Sequence, residues 1–410
     1  MSKTPELLAP AGNFEKLRAA LLYGADAVYL AGSAFGMRAA ADNFSVEELH
    51  EASVYTHARG KKLYLTVNTM PRVFEYDALE RYFDEIKDAN LDALIIADPG
   101  VFTLANKMLP HTELHVSTQA GAVSHADCSF WYEMGASRVV LARELSMEEI
   151  TAIRAKIPAN LELECFMHGS MCVSWSGRCL LSNHFIGRDA NRGMCAQPCR
   201  WDYHLYEIAE DKRPNVRFPV EENDLGTFIM SSRDMCMIEH IPELMKSGIA
   251  SFKIEGRMKS AYYTAVTANA YRMAMDAYLA DPTGYTYNPA WMTELESVSH
   301  REYCTGFYFG ETTADANLCT LPGYIREKAY LATVEAYDPA SGIATLKQRN
   351  KLTLGDTVEI ITPGKVGRAF KPEALFLPDG SAIESTPHPY MEFRMPIPFE
   401  AHEGDIIRLS

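Results

Sequence analysis

Five of the nine cysteines, Cys165, Cys172, Cys179, Cys195 and Cys199, fall within 35 residues, while Cys128, Cys236, Cys304 and Cys319 are scattered. The core of the cluster reads His168-Gly-Ser-Met-Cys172-Val-Ser-Trp-Ser-Gly-Arg-Cys179, then fifteen residues to Cys195, then Ala-Gln-Pro-Cys199. Thiolates on one loop punctuated by Gly169, Gly177, Gly187 and Gly193 can wrap a soft metal, because glycine frees the backbone to turn. Four thiolates suit an iron–sulfur cluster or zinc. Structural zinc favours paired short knuckles, and only Cys195/Cys199 resembles half of one; buried inert thiols are the third reading. Cys236 ends an extended run, Ile229-Met-Ser-Ser-Arg-Asp-Met, and is a fifth candidate ligand. Cys165, with alternating apolar neighbours, reads as a core thiol of a strand.

A second set of polar residues stands at or just past the ends of short apolar runs: Asn68, Asp98, Ser117, Gln119, Arg143, Glu144, His168, Lys253, Glu255 and Arg257. Singly, each reads as a loop or helix-cap residue. Together they outline a mouth. Arg143 and Arg257 offer planar guanidinium groups able to hold a carboxylate bidentately, as a small dianionic substrate requires. His168 is a candidate proton donor, with a histidine bonded to a backbone carbonyl as the plainer reading.

The elements that position these residues follow a βα grammar. Apolar runs at Glu6–Ala9, Ala27–Ala31, Leu63–Asn68, Ala93–Ala97, Glu113–Ser117, Arg138–Ala142, Leu161–Met167 and Ser251–Ile254 number eight, the count of a (β/α)8 TIM-type barrel. Amphipathic stretches separate them, such as Leu79, Tyr82, Phe83 and Ile86. A doubly wound sheet is the rival, but no Gly-x-Gly-x-x-Gly loop follows the first strand. Residues 170–249 form an insertion between strands seven and eight far longer than the ~2–6 residues of an ordinary connection, and it leaves the end of a strand where barrel sites lie. The tract 262–279 reads as a closing helix, giving a barrel over 1–279, with 280–327 as a linker region. From Lys328 to Ser410 strands alternate with turns such as Asp338-Pro339-Ala340-Ser341-Gly342 and no helix intervenes, so a small all-β barrel is expected.

Composition sets the broad class. The 410 residues, 47% hydrophobic and 23% charged, are those of an ordinary globular protein. No window approaches the ~18 apolar residues of a membrane span, and the N-terminus lacks a leader's order of basic then apolar residues, so a cytoplasmic, reducing location is expected. There, clustered cysteines in odd number point to metal or catalysis before disulfides. The net charge, 39 − 54 = −15, excludes a surface basic all over for indiscriminate nucleic-acid binding. Locally the balance reverses: residues 172–204 carry Arg178, Arg188, Arg192 and Arg200 against Asp189 and Asp202, a net +2, with Trp175, Phe185, Trp201 and Tyr203 as faces for base stacking. Arg59, Lys61 and Lys62 are further phosphate candidates, though a solvated helix end is the plainer reading of the three.

The segment Cys165-Phe-Met-His-Gly-Ser-Met-Cys-Val-Ser-Trp-Ser-Gly-Arg-Cys-Leu-Leu-Ser182 resembles the signature of the collagenase-like peptidases of family U32. Glu6-Leu-Leu-Ala-Pro-Ala-Gly12, Ser231-Ser-Arg-Asp-Met-Cys236, Lys253-Ile-Glu-Gly-Arg-Met-Lys-Ser260 and Thr305-Gly-Phe-Tyr-Phe-Gly310 match the family pattern in order, over nearly the whole chain. The signature departs at its start, where Cys165 replaces an alanine- or valine-like residue. Within the family the chain is most similar to tRNA-modifying members. The resemblance implies oxygen-independent formation of 5-hydroxyuridine at the tRNA wobble position, with prephenate as co-substrate and a 4Fe-4S cluster. It implies Cys172, Cys179, Cys195 and Cys236 as cluster ligands, with Cys199 contesting the fourth place. From their place at the mouth, His168, Arg143, Glu255 and Arg257 are the expected catalytic residues, and an electron-donor protein is a candidate partner. The family name offers proteolysis as the alternative, but no His-Glu-x-x-His helix or Gly-x-Ser-x-Gly elbow is present, and a cysteine nucleophile would have only His168 conveniently near in sequence.

Overall fold

The computed structural model describes residues 4–37, 42–172, 174, 178–201, 208–210, 213–218, 232–310, 325 and 328–410. Trp175, Asp202, Tyr203, Ile229 and Cys319 lie outside these residues. Contacts divide the chain into two units, one of residues 1–17, 26–258 and 300–325, the other of 18–25, 259–299 and 326–410.

The first unit is the expected TIM-type barrel. Strands β1 (Glu6–Pro10), β2 (Ala27–Ala31), β3 (Lys62–Val67), β4 (Ala93–Ile96), β5 (Glu113–Val116), β6 (Arg138–Val140), β7 (Glu162–Ser170) and β8 (Ser251–Ile254) run parallel. β8 pairs both with β7 and back with β1, so the sheet closes. Runs such as Ala-Val-Tyr-Leu-Ala of β2 are buried at every position because one face meets the barrel interior and the other the helices. Helices α1 (Phe14–Leu22), α2 (Val46–His57), α3 (Tyr76–Ile86), α4 (Pro99–Met108), α5 (His125–Glu133) and α6 (Met147–Arg154) separate the first seven strands. Their starts are written locally: Ser45, Ser124 and Ser146 form capping boxes, and Asp98 caps α4 ahead of Pro99. Leu79, Tyr82, Phe83 and Ile86 form the buried stripe of α3.

Between β7 and β8 the insertion carries α7 (Leu181–Ile186), a two-stranded pairing of 208–210 with 213–218, the strand Asp234–Cys236 and α8 (Ile241–Lys246). Asp234–Cys236 runs antiparallel to the end of β7, with Cys236 opposite His168, and Tyr303–Cys304 pairs parallel beside it. Part of the stretch expected to be a linker thus extends the barrel sheet.

In the second unit, α9 (Ala261–Ala280) and α10 (Ala290–Glu296) accompany an eight-stranded antiparallel sheet built from residues 330–409. Its core includes Leu331, Leu346, Ile360, Phe393 and Ile407. Arg408 is buried in this unit between Glu294 and Glu359, 2.7 Å from each, and Asn269 of α9 bonds the backbone of Gly364 and Lys365. Helix α9, read from sequence as closing the barrel, therefore groups with the all-β sheet. It is buried on nearly every side, so its pattern carries no sign of which neighbour it serves.

Candidate active site at the barrel mouth

The barrel floor is polar. Arg138 of β6 donates to Glu6 of β1 at 2.8 Å, to Glu162 of β7 at 2.7 Å and to Glu164 of β7 at 3.2 Å. Lys253 of β8 donates to Glu164 at 2.9 Å, and the Tyr64 hydroxyl to Glu6 at 2.7 Å. Burial alone would raise the Glu164 carboxyl, but Lys253 and Arg138 hold it below the usual range. Burial, and then Arg138, lower His115 of β5. The sequence placed Lys253 at the mouth, but its position on β8 turns it inward. There it balances Glu164 and lies 4.3 Å above the Tyr29 ring, in a structural role.

Above this layer the ends of β6, β7 and β8 bring together the four residues expected to be catalytic. The Glu255 amide donates to the His168 carbonyl at 2.8 Å, and Glu255 Oε2 lies 3.1 Å from the Tyr29 hydroxyl. Gly169 sits at φ +105°, and a side chain there would collide with the Glu255 carbonyl oxygen, so the close approach of the two strand ends requires glycine. Arg257, 4% exposed, donates from Nη1 to Thr66 Oγ1 at 3.0 Å. Arg143 donates from Nη1 to the Ser170 carbonyl at 2.5 Å and stacks 4.0 Å above the Phe166 ring. Its Nε is buried with no hydrogen-bond partner among the described residues, as is Glu144 Oε2, and burial raises the Glu144 carboxyl. His168 is 1% exposed, with its ring 5.4 Å from that of Tyr303, which stacks on His300 at 4.3 Å.

The bland readings hold elsewhere. Asp98 and Ser117 cap helical turns, and Asn68 accepts the Met37 amide. Lys61 pairs with Asp26 and Arg59 stacks on Tyr55, both ahead of β3 and so at the opposite end from the strand C-termini. Sequence reasoning missed Tyr29, Thr66 and the strand Tyr303–Cys304. Arg301 and Asp234 form a buried ion pair that fixes that strand beside Cys236. The density of polar residues in His300-Arg-Glu-Tyr-Cys304 was the available signal.

The thiols are distributed differently. Cys236 is buried against β7, Cys179, Cys195 and Cys199 are half-buried, and Cys172 is exposed. Their chemistry suits a thiolate-bound cluster or zinc. As placed, however, no three Cys, His, Asp or Glu side chains among the described residues form a group that could hold a metal ion, so no chemical step is assigned to one. Cys165 is a core thiol as expected; burial pushes it up to about 12, the opposite of what a nucleophile needs.

A closed parallel barrel with a polar mouth and a cysteine-bearing insertion after β7 defines the class, an enzyme-like (β/α)8 protein with an appended all-β domain. Residues 12–318 match peptidase family U32 and residues 326–408 the C-terminal domain of that family. The chain belongs to peptidase family U32. It is 38% identical over 408 residues to the tRNA hydroxylation protein P1 of Bacillus subtilis (strain 168), covering 100% of this chain and 95% of that protein. The tRNA hydroxylation protein P of Escherichia coli (strain K12) is 35% identical over 395 residues, 88% of this chain and 86% of its own. A protein named collagenase from Porphyromonas gingivalis (strain ATCC BAA-308 / W83) is 32% identical over 369 residues, 87% of this chain and 86% of its own. Among the described residues no helix is long and apolar enough to cross a membrane.

Proposed function

We propose that this chain is an RNA-modifying enzyme that hydroxylates tRNA, forming 5-hydroxyuridine at the wobble position without molecular oxygen and with prephenate as co-substrate. The observation that carries RNA hydroxylation is the match along the whole chain to the Bacillus subtilis tRNA hydroxylation protein P1. The mouth is compatible with a small dianion. Arg143 after β6 and Arg257 after β8 supply two guanidinium groups, and His168 at the end of β7 and Glu255 just past β8 serve as proton donor and acceptor. The Tyr29 hydroxyl orients Glu255, and Thr66 orients Arg257.

The proposal includes a 4Fe-4S cluster on Cys172, Cys179, Cys195 and Cys236, with Cys199 as the alternative fourth ligand, and a separate electron-donor protein in the cytoplasm. When bound, such a cluster supplies an iron centre for redox or Lewis-acid chemistry. The fixed partner in this set is Cys236, held against His168. Proteolysis is the second reading, favoured by the relative named collagenase. Nucleoside mass spectrometry of tRNA from a deletion strain separates the two. Loss of 5-hydroxyuridine, restored by the wild type but not by Cys179→Ala, supports the hydroxylase; unchanged tRNA overturns it.

A further inference from the structure

Val73 and Phe74, on a single helical turn in the loop between β3 and α3, are 76% and 94% exposed, and Phe74 meets no other ring among the described residues. The loop leaves the C-terminal end of β3, the same end of the barrel as His168 and Glu255. It is tied to the cysteine segment at two points, Arg72 to Asp189 at 3.6 Å and Arg192 to Glu75. On that segment Arg178 and Arg188 are exposed with no ion pair among the described residues, beside the exposed side chains of Leu180 and Phe185. We infer that the β3–α3 loop and the α7 region together form the docking face for a single-stranded RNA loop, with Phe74 as the stacking platform for a base. The inference rests on the RNA-hydroxylase reading and adds the surface that presents the substrate.

The physical case is one of matched chemistry. A nucleotide brings a flat base for Phe74 and a backbone phosphate for the arginines, whereas an apolar protein surface would leave Arg178 and Arg188 desolvated without partners. A chain of net charge −15 repels RNA at long range, so binding depends on the few places where the sign reverses. The two ion pairs hold the apolar tip and the basic segment in one arrangement, which limits the ordering that binding requires.

The test is binding of an unmodified tRNA with uridine at the wobble position, and of its isolated anticodon stem-loop, followed by anisotropy between about 50 and 200 mM salt. Phe74→Ala is expected to weaken binding about tenfold with little change in salt dependence. Arg178→Ala and Arg188→Ala should each weaken it several-fold and lower the salt slope by about one. Phe130→Ala, an exposed aromatic on α5, should leave it unchanged. All four positions are at the surface, so equal melting temperatures check the fold. Wild-type binding with unaltered Phe74 and arginine variants would overturn the placement alone. No RNA binding by the wild type would overturn it together with the hydroxylase reading. A change of oligomeric state in Phe74→Ala by light scattering, with RNA binding intact, would assign the face to a second copy of the chain instead.

Discussion

Glu164 is a buried carboxyl and Glu144 a half-buried one whose Oε2 is shielded from solvent, and they differ in what surrounds them. Glu164 has Lys253 and Arg138, and its carboxyl is held low despite burial. A group depressed in the folded state contributes stability above its unfolded value of about 4.5, and that contribution is lost as pH falls through the folded value. Glu164→Gln should therefore cost about 3 kcal/mol near neutral pH, because it leaves buried cations undercompensated. The gap to wild type in thermal unfolding should narrow below pH 4.5; a gap independent of pH would count against the ion pairing. Glu144 has the reverse sign. Burial raises it and Oε2 lacks a hydrogen-bond partner among the described residues, so its ionisation opposes folding once pH rises above the unfolded value of 4.5. Glu144→Gln should unfold at the same or a higher temperature at pH 7, with the difference vanishing in acid, while hydroxylation falls. A lower melting temperature at pH 7 would contradict this. Such a group, costly to stability at the mouth, is where a functional role is expected. At this scale the sequence named His168, Arg143, Glu255 and Arg257 from their positions after apolar runs. It misjudged Lys253, because inward or outward facing depends on a register that one strand does not reveal.

Elements were legible in proportion to their length and periodicity. All eight barrel strands lie within a few residues of their expected bounds, and the stripe of α3 was read directly, because long buried runs and 3.6-residue spacing are strong signals. The two-residue strand Tyr303–Cys304 has no periodicity to read, and its identity as an element comes only from its partner, Asp234–Cys236. That pairing is fixed by the Asp234–Arg301 ion pair, with both side chains buried and Arg301 contacts at 2.5–3.0 Å. Asp234→Asn should remove the carboxylate that pairs with the buried Arg301 guanidinium and cost about 3–5 kcal/mol locally. Because Cys236 sits two residues away on the same short strand, the opening should expose it. Alkylation of Cys236, read by peptide mass spectrometry with Cys165 as the internal reference, should accelerate at least about tenfold. An unchanged ratio would mean that the strand is held by its backbone pairing alone.

For the whole molecule, the question is how one chain with net charge −15 carries an arginine-bearing segment and five candidate thiols at one end of a barrel. Spacing identified the cysteines, but convergence of side chains from separate loops is a property of packing around a guest, which no sequence period encodes. Metal content therefore discriminates between the functional classes. Protein purified without oxygen should contain about four irons and four sulfides per chain, with a visible charge-transfer band. Single alanine variants of Cys172, Cys179 and Cys195 should lose them. Between Cys199→Ala and Cys236→Ala one should retain the iron, and the burial of Cys236 opposite His168 favours Cys236 as the essential member. If both variants keep a full complement, the ligand set is wrong. Zinc or no metal under the same conditions, together with cleavage of an extended polypeptide by the metal-free protein, would transfer the site to the peptidase reading, since a thiol nucleophile needs no cluster. Iron that disappears along with 5-hydroxyuridine in the same three variants would tie the cysteine segment to RNA modification.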